Sequence, residues 1–168
     1  VKNSPPGPPE ISIVADNNCP VGWTLMGDDA RCVRVFAIET TNWTNAQAAC
    51  AVQDGDLVSI VSADDNALIA DLASETAGKG LWIGYNDRAV ENEWTWVAGD
   101  AGGYENWRTE GAPPEPNGGT GENCGEILLP GSDPPAEPWH WNDAPCILAA
   151  GHNGGYICET DVGNGLVC

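Results

Sequence analysis

Glu115, Asn117, Glu122, Asn142 and Asp143 place three carboxylates and two amides within one short part of the chain. Hard cations select such side chains: calcium takes about six to eight oxygen ligands at about 2.4 Å. The mixture of types matters. A carboxylate can bind an ion and still accept a hydrogen bond, whereas an amide can bind through oxygen and donate through nitrogen. A calcium ion held this way at the surface can take two neighbouring sugar hydroxyls, each coordinating the ion, donating to a carboxylate and accepting from an asparagine. A cage made only of carboxylates could not offer the last of these. The same residues also fit a plainer description, as ordinary polar positions in a very acidic loop.

Pro116 and the surrounding glycines bear on the geometry. A trans Glu115-Pro116-Asn117 run is extended and directs its side chains apart. A cis bond would turn the chain back and let Glu115 and Asn117 converge, at about 0.5–1 kcal/mol for an X-Pro bond. Gly118, Gly119 and Gly121 permit the tight return to Glu122. No EF-hand or HExxH pattern is present.

These residues need a scaffold, and the sequence pattern predicts an α+β one. A hairpin is expected from Cys19 around the Gly27-Asp28-Asp29 turn, and Cys19–Cys32 could join its arms. Asn42 caps a helix with an apolar face of Ala46, Ala49 and Cys50, stopped at Asp54-Gly55-Asp56. Leu57 to Ile60 reads as a short buried strand. Ser62 opens a second helix, with Asp65 in a capping-box-like position and Ala67, Leu68 and Leu72 on its apolar face. Further strands are expected at Leu81 to Gly84, Cys124 to Leu129 and Gly155 to Glu159, with Trp139-His140-Trp141 between the last two. Residues 99–121, dense in Gly, Pro, Asn and Glu, should form a long functional loop.

The 168 residues suit one domain, with eight tryptophans and one phenylalanine to fill its core. A flexible proline-rich lead over 1–15 precedes the domain over 16–162, and a tail over 163–168 carries an extra cysteine. A formal charge of −19 and the absence of any basic cluster exclude nucleic-acid binding as a main role. The charge suits cations, basic partners or a saline medium. No stretch is long and apolar enough for a membrane span, and the chain is read as starting after processing. Seven cysteines without a CxxC pair argue against zinc fingers and thioredoxin-type sites and for disulfides in an oxidising, extracellular compartment. One is left over, and terminal Cys168 is the candidate for a free thiol or an intermolecular bridge. Asn42-Trp43-Thr44 is a glycosylation sequon whose asparagine doubles as the expected cap.

NWTNAQAAC, LVSI, LWIG, WTW, YENW, EPN, GENC, WNDAPC and GYIC follow one another in this order, and together they resemble the C-type lectin-like domain family from Cys19 to about Cys158. The resemblance implies a double-loop α+β fold, two helices with small antiparallel sheets, closed by Cys50–Cys158. It also implies Cys124–Cys146 anchoring the long loop and Cys19–Cys32 holding the N-terminal hairpin. By the same resemblance Glu115, Asn117, Glu122, Asn142 and Asp143 are the principal calcium ligands and Pro116 is a cis-proline. EPN accompanies mannose, glucose, N-acetylglucosamine and fucose recognition in the family, and the galactose-type QPD is absent. Asp87 and Glu91 fall on ligand positions of a second calcium, with Glu122 shared. Gly118 and Asn123 depart from the pattern, since acidic residues are more usual there.

Trp82, Trp94 and Trp96 read as core, and Trp141 as buried support for the ligands that follow it. The insertion at Gly131 to Pro135 could project Trp139 and His140 toward the site, where Trp139 would stack on a sugar ring. His152 reads as solvent-facing. Paired carboxylates can hydrolyse glycosides, but a carboxylate on calcium is a poor general acid. No nucleophile elbow is visible, so no catalysis is expected. The leading expectation is a secreted, calcium-dependent lectin for glycans with terminal mannose- or fucose-like sugars. It would bind weakly per site, gain avidity as a homo-oligomer through Cys168 or the N-terminal flank, and release its ligand in mild acid. Binding of ice or mineral surfaces, or of proteins, is the alternative.

Overall fold

Both helices start where a short polar side chain satisfies an unpaired backbone donor. Asn42 accepts from the Asn45 amide at 2.8 Å at the start of α1 (Trp43–Ala51), and Ser62 accepts from the Asp65 amide at 3.1 Å at the start of α2 (Ala63–Ala73). Each cap is worth about 1 kcal/mol. The computed structural model describes residues 19–27, 31–37, 41–99, 103–110, 113–130, 138–147 and 154–163. The proline-rich lead, the Asp28-Asp29 turn, the 131–135 insertion, His152 and Cys168 lie outside the described residues.

Helix α1 buries Trp43, Ala46 and Cys50, with Ala49 half-buried, as the pattern predicts. Helix α2 does not follow its predicted face. It buries Asp65, Asn66, Ile69 and Ala73, while Ala67 and Leu72 are exposed and Leu68 is half-buried. The reason is that Asp65 and Asn66 meet donors inside the protein. Arg31 Nη2 donates to Asp65 Oδ2 at 3.2 Å, and Trp141 Nε1 donates to Asn66 Oδ1 at 2.9 Å. Polar groups satisfied in this way can be buried at low cost.

The strands are β1 (Thr24–Met26), β2 (Arg31–Phe36), β3 (Asp56–Leu57), β4 (Gly80–Asn86), β5 (Thr95–Trp96), β6 (Cys124–Leu128), β7 (Trp141–Ala144) and β8 (Gly155–Asp161). They join in one eight-stranded path, β1-β2-β8-β4-β6-β7, with β3 on β8 and β5 on β4. The pairings are antiparallel except β4 with β8. The chain's first hairpin therefore closes against its last strand. Strand β3 is shorter than the predicted Leu57 to Ile60. Val58 donates to Ile157 and accepts from Gly84, both at 2.9 Å, and 58–60 are buried beyond the ladder. Gly84 is required there, since a Cβ would lie 2.5 Å from the Leu57 carbonyl oxygen.

Two apolar clusters fill the interior. One centres on Ile69, Leu81, Ile83, Ile127, Trp141 and Ile157, and the other on Trp43, Leu57, Trp82 and the buried cysteines. Trp82, Trp96 and Trp141 are buried as expected, and Trp94 is half-buried against them. Tyr85 stacks on Trp96 with centroids 4.4 Å apart and meets Trp141 edge-on at 5.6 Å. Trp43 Nε1 donates to the Ile83 carbonyl and Trp82 Nε1 to the Thr41 carbonyl, both at 2.8 Å, so each indole satisfies its polar atom while locking α1 to β4. The three disulfides are Cys19–Cys32, Cys50–Cys158 and Cys124–Cys146. Among the described residues no helix is long and apolar enough to cross a membrane.

Candidate metal and ligand site

Strand β7 positions the site. Trp141, wholly buried, plugs the core; Asn142 reaches across to Glu126 on β6, and Asp143 meets the long loop. The loop is pinned along this strand by its backbone. Trp141 donates to Asn106 O at 2.7 Å, Arg108 donates to Trp141 O at 2.9 Å, and Glu115 donates to Arg108 O at 3.0 Å. Asp143 then gathers the turn after Pro116, accepting from the amides of Asn117 at 3.0 and 3.1 Å and of Gly118 at 2.8 Å. The Glu115–Pro116 peptide is cis.

Glu115 and Asp143, 8% and 2% exposed, are thereby brought together from distant parts of the sequence. One oxygen of Glu115 takes a hydrogen bond and ion pair from Arg108 Nη2, and the other, Oε2, has no partner. Burial pushes the Glu115 carboxyl up to about 7, helped by the hydrogen bond and charge of Asp143 and opposed by Arg108. Two ionised carboxylates have no proton to share, so Oε2 stands alone until a proton or a cation arrives. Asn142 Nδ2 donates to Glu126 Oε1 at 3.1 Å and to the Asp143 carbonyl at 2.6 Å, while Asn117 Nδ2 donates to Pro113 O at 3.4 Å. These bonds engage both N–H groups of Asn142 and one of Asn117, and the two amide oxygens accept no hydrogen bond among the described residues.

A second group of oxygens lies beside the first. Asp87 Oδ2 accepts from the Asn92 amide at 2.8 Å, whereas Asp87 Oδ1, Glu91 Oε2 and Asn123 Oδ1 are buried without a partner. Asp87 N donates to Asn123 O at 3.3 Å, which ties the two strands' ends together. Burial and the charges of Asp87 and Asp143 hold Glu91 above the usual carboxylate range. Glu122 lies directly over Gly118, where a Cβ would meet its Oε2 at 2.2 Å. An acidic side chain at 118 is therefore incompatible with Glu122 in this position.

These observations bear on calcium. Buried oxygens without partners are costly unless something satisfies them, and carboxylate plus amide oxygens suit a hard cation. Among the described residues, however, no group of three or more His, Cys, Asp or Glu side chains is arranged to hold a metal by itself. An ion here would depend on Asn117, Asn142 or Asn123 as well as the acids, and with those amides the residues fit calcium.

Trp139 is tied to β6, α2 and the long loop by its own bonds. Its amide donates to Leu128 O at 2.8 Å, its carbonyl accepts from Asn66 Nδ2 at 3.1 Å and Asn106 Nδ2 at 3.0 Å, and its half-buried side chain packs on the main core. His140 is half-buried and its carbonyl accepts from Leu128 N at 2.8 Å. Sequence reasoning missed Arg108 and Glu126 as parts of the site. A signal existed for Arg108, because it is the last basic residue in the chain.

The two-helix, disulfide-stapled α+β fold defines a binding domain rather than a catalytic one. Residues 39–160 match the family described as the C-type lectin domain, and the chain belongs to that family, a non-catalytic binding domain. A perlucin-like protein from Mytilus galloprovincialis is 30% identical over 144 residues, 84% of this chain and 82% of that protein. The chain spans 38% of the human low affinity immunoglobulin epsilon Fc receptor, to which it is 33% identical. The structure is similar to a calcium-independent type II antifreeze protein, with a TM-score of 0.67, 28% identity and coverage of 85% and 94% of the two chains. It is also similar to the carbohydrate-recognition domain of cow CD23 crystallised with a GlcNAc2Man3 oligosaccharide, with a TM-score of 0.66, 30% identity and coverage of 90% and 99%.

Proposed function

We propose that this domain binds carbohydrate through calcium, recognising equatorial vicinal hydroxyls of mannose-, fucose- or N-acetylglucosamine-type sugars outside the cell. The observation that carries this reading is the buried meeting of Glu115 with Asp143, which leaves an oxygen that neither Arg108 nor any backbone amide satisfies. Glu115, Asn117, Glu122, Asn142 and Asp143 would hold the ion, and Asp87, Glu91 and Asn123 a second one. Calcium held there would supply a Lewis-acidic centre for two adjacent hydroxyls. Glu115 and Asp143 would accept the hydroxyl protons' hydrogen bonds. Asn117, with one of its two N–H groups committed to Pro113, keeps the other for a hydroxyl oxygen, whereas Asn142 uses both. Trp139, packed on the core, is the candidate apolar neighbour for a longer glycan. So small a contact binds weakly, and clustering of copies would raise avidity. The test is retention on mannose resin in calcium followed by elution with EDTA. Retention that persists in EDTA, or no retention in calcium, overturns the reading.

A second reading has its own support. The likeness to a calcium-independent antifreeze protein and the Arg108 cation already on Glu115 suit a face that binds ice, mineral or protein without a metal. Thermal hysteresis or crystal-growth inhibition unchanged by EDTA, with an empty glycan array, would select it.

A further inference from the structure

We propose that Arg108 is an internal competitor of calcium, its guanidinium holding Glu115 in the metal-free protein and setting the calcium concentration at which the site fills. This deepens the calcium reading and rests on it. The geometry is specific. Arg108 and Glu115 close a loop on themselves twice, through the Glu115 amide to the Arg108 carbonyl at 3.0 Å and through the ion pair between their side chains. The pair is sheltered, with side chains 17% and 2% exposed, so solvent weakens it less than it would a surface pair. Arg108 Nε is itself buried without a partner, so the guanidinium is committed to Glu115 without being fully satisfied there. Such a group stabilises the carboxylate in the absence of metal but gives way to a divalent ion. Calcium must win Glu115 from a positive charge that repels it, and Arg108 lowers affinity on both counts.

The test measures calcium binding by calorimetry and melting in EDTA for the wild-type chain, Arg108→Met and Arg108→Lys. Arg108→Met removes the competing charge at similar length. It is expected to tighten calcium binding by about tenfold, the factor that corresponds to about 1.4 kcal/mol, and to lower the melting temperature in EDTA, with the deficit vanishing at saturating calcium. Arg108→Lys, which keeps charge but loses the planar fork, is expected to fall between. Unchanged or weaker calcium binding in Arg108→Met overturns the proposal while leaving the calcium reading intact. Calcium binding by the variant alone supports it. Binding by neither chain overturns both. If Arg108→Met does not fold in EDTA, recovery on adding calcium supports the proposal. If it folds in neither condition, Arg108→Lys decides, and an affinity equal to wild type overturns it.

Discussion

Two arginines in this molecule sit among buried carboxylates, and the two surroundings differ in how completely the acids are satisfied. Arg31 forks between Glu159 on β8, at 2.8 Å, and Asp65 on α2, at 3.2 Å. Ser59 Oγ donates to the other oxygen of Glu159 at 2.8 Å, and the Val61 amide donates to Asp65 Oδ2 at 3.1 Å. Among the described residues Arg108 pairs with Glu115 and no other carboxylate, and Glu115 Oε2 goes unsatisfied, as do Asp87 Oδ1, Glu91 Oε2 and Asn123 Oδ1 in the second oxygen group. The first arrangement is a staple between a helix and a sheet. The second is left short of partners, and it is where the proposed cation would sit. A buried charge with all its partners serves structure, whereas one left short of partners marks a place where binding can supply what is missing.

The sharpest way to break this contrast is at the staple. Arg31→Met leaves Glu159 and Asp65 buried without a counter-charge and is expected to cost about 3–5 kcal/mol, read by chemical denaturation, with calcium affinity unchanged in the folded fraction. A loss under about 1 kcal/mol would mean the pair is weaker than its burial implies. At the loop the opposite is expected. Glu115→Gln should weaken calcium binding by roughly 100-fold, since a neutral amide replaces a charged ligand, yet leave the metal-free protein as stable as wild type or more so. A stability loss comparable to that of Arg31→Met would place Glu115 with the structural residues.

The smallest effect is in pH. The Glu115 carboxyl is raised from its ordinary 4.5 to about 7 in the folded chain. Its contribution to stability is therefore fully present below about 4.5 and is lost as pH rises through about 7. Metal-free protein should melt higher at pH 5 than at pH 7.5 for this group, and Glu115→Gln should flatten that slope. Glu159 is also held above its usual range, chiefly by burial, so the slope that remains in the variant belongs partly to the staple. On the proposed calcium reading the ion needs Glu115 ionised, so calcium binding should weaken as pH falls below about 7, which titration at fixed ionic strength checks.

The scaffold was open to sequence reasoning because its signals are local. Asn42 and Ser62 are caps by chemistry, Cys50 recurs on the α1 face with Ala46, and EPN is flanked by the glycines that a tight return needs. The α2 face was misread for a physical reason. Ala67, Leu68 and Leu72 form an apolar stripe, but Arg31 and Trp141, remote in the chain, make it favourable to bury Asp65 and Asn66 instead. Arg108 was passed over on the same ground. Nothing within a few residues of it shows that its charge will meet Glu115.

By itself the sequence determined the class of fold, the helix starts and the kinds of oxygen available to an ion, because these follow from backbone chemistry and side-chain type. Only the tertiary structure decided which of those oxygens go unsatisfied. That depends on which donors arrive from elsewhere: two amides at Asp143, one guanidinium at Glu115 and none at Asp87 Oδ1. Satisfaction of a buried charge is a property of its neighbours in space, and chain packing selects those neighbours.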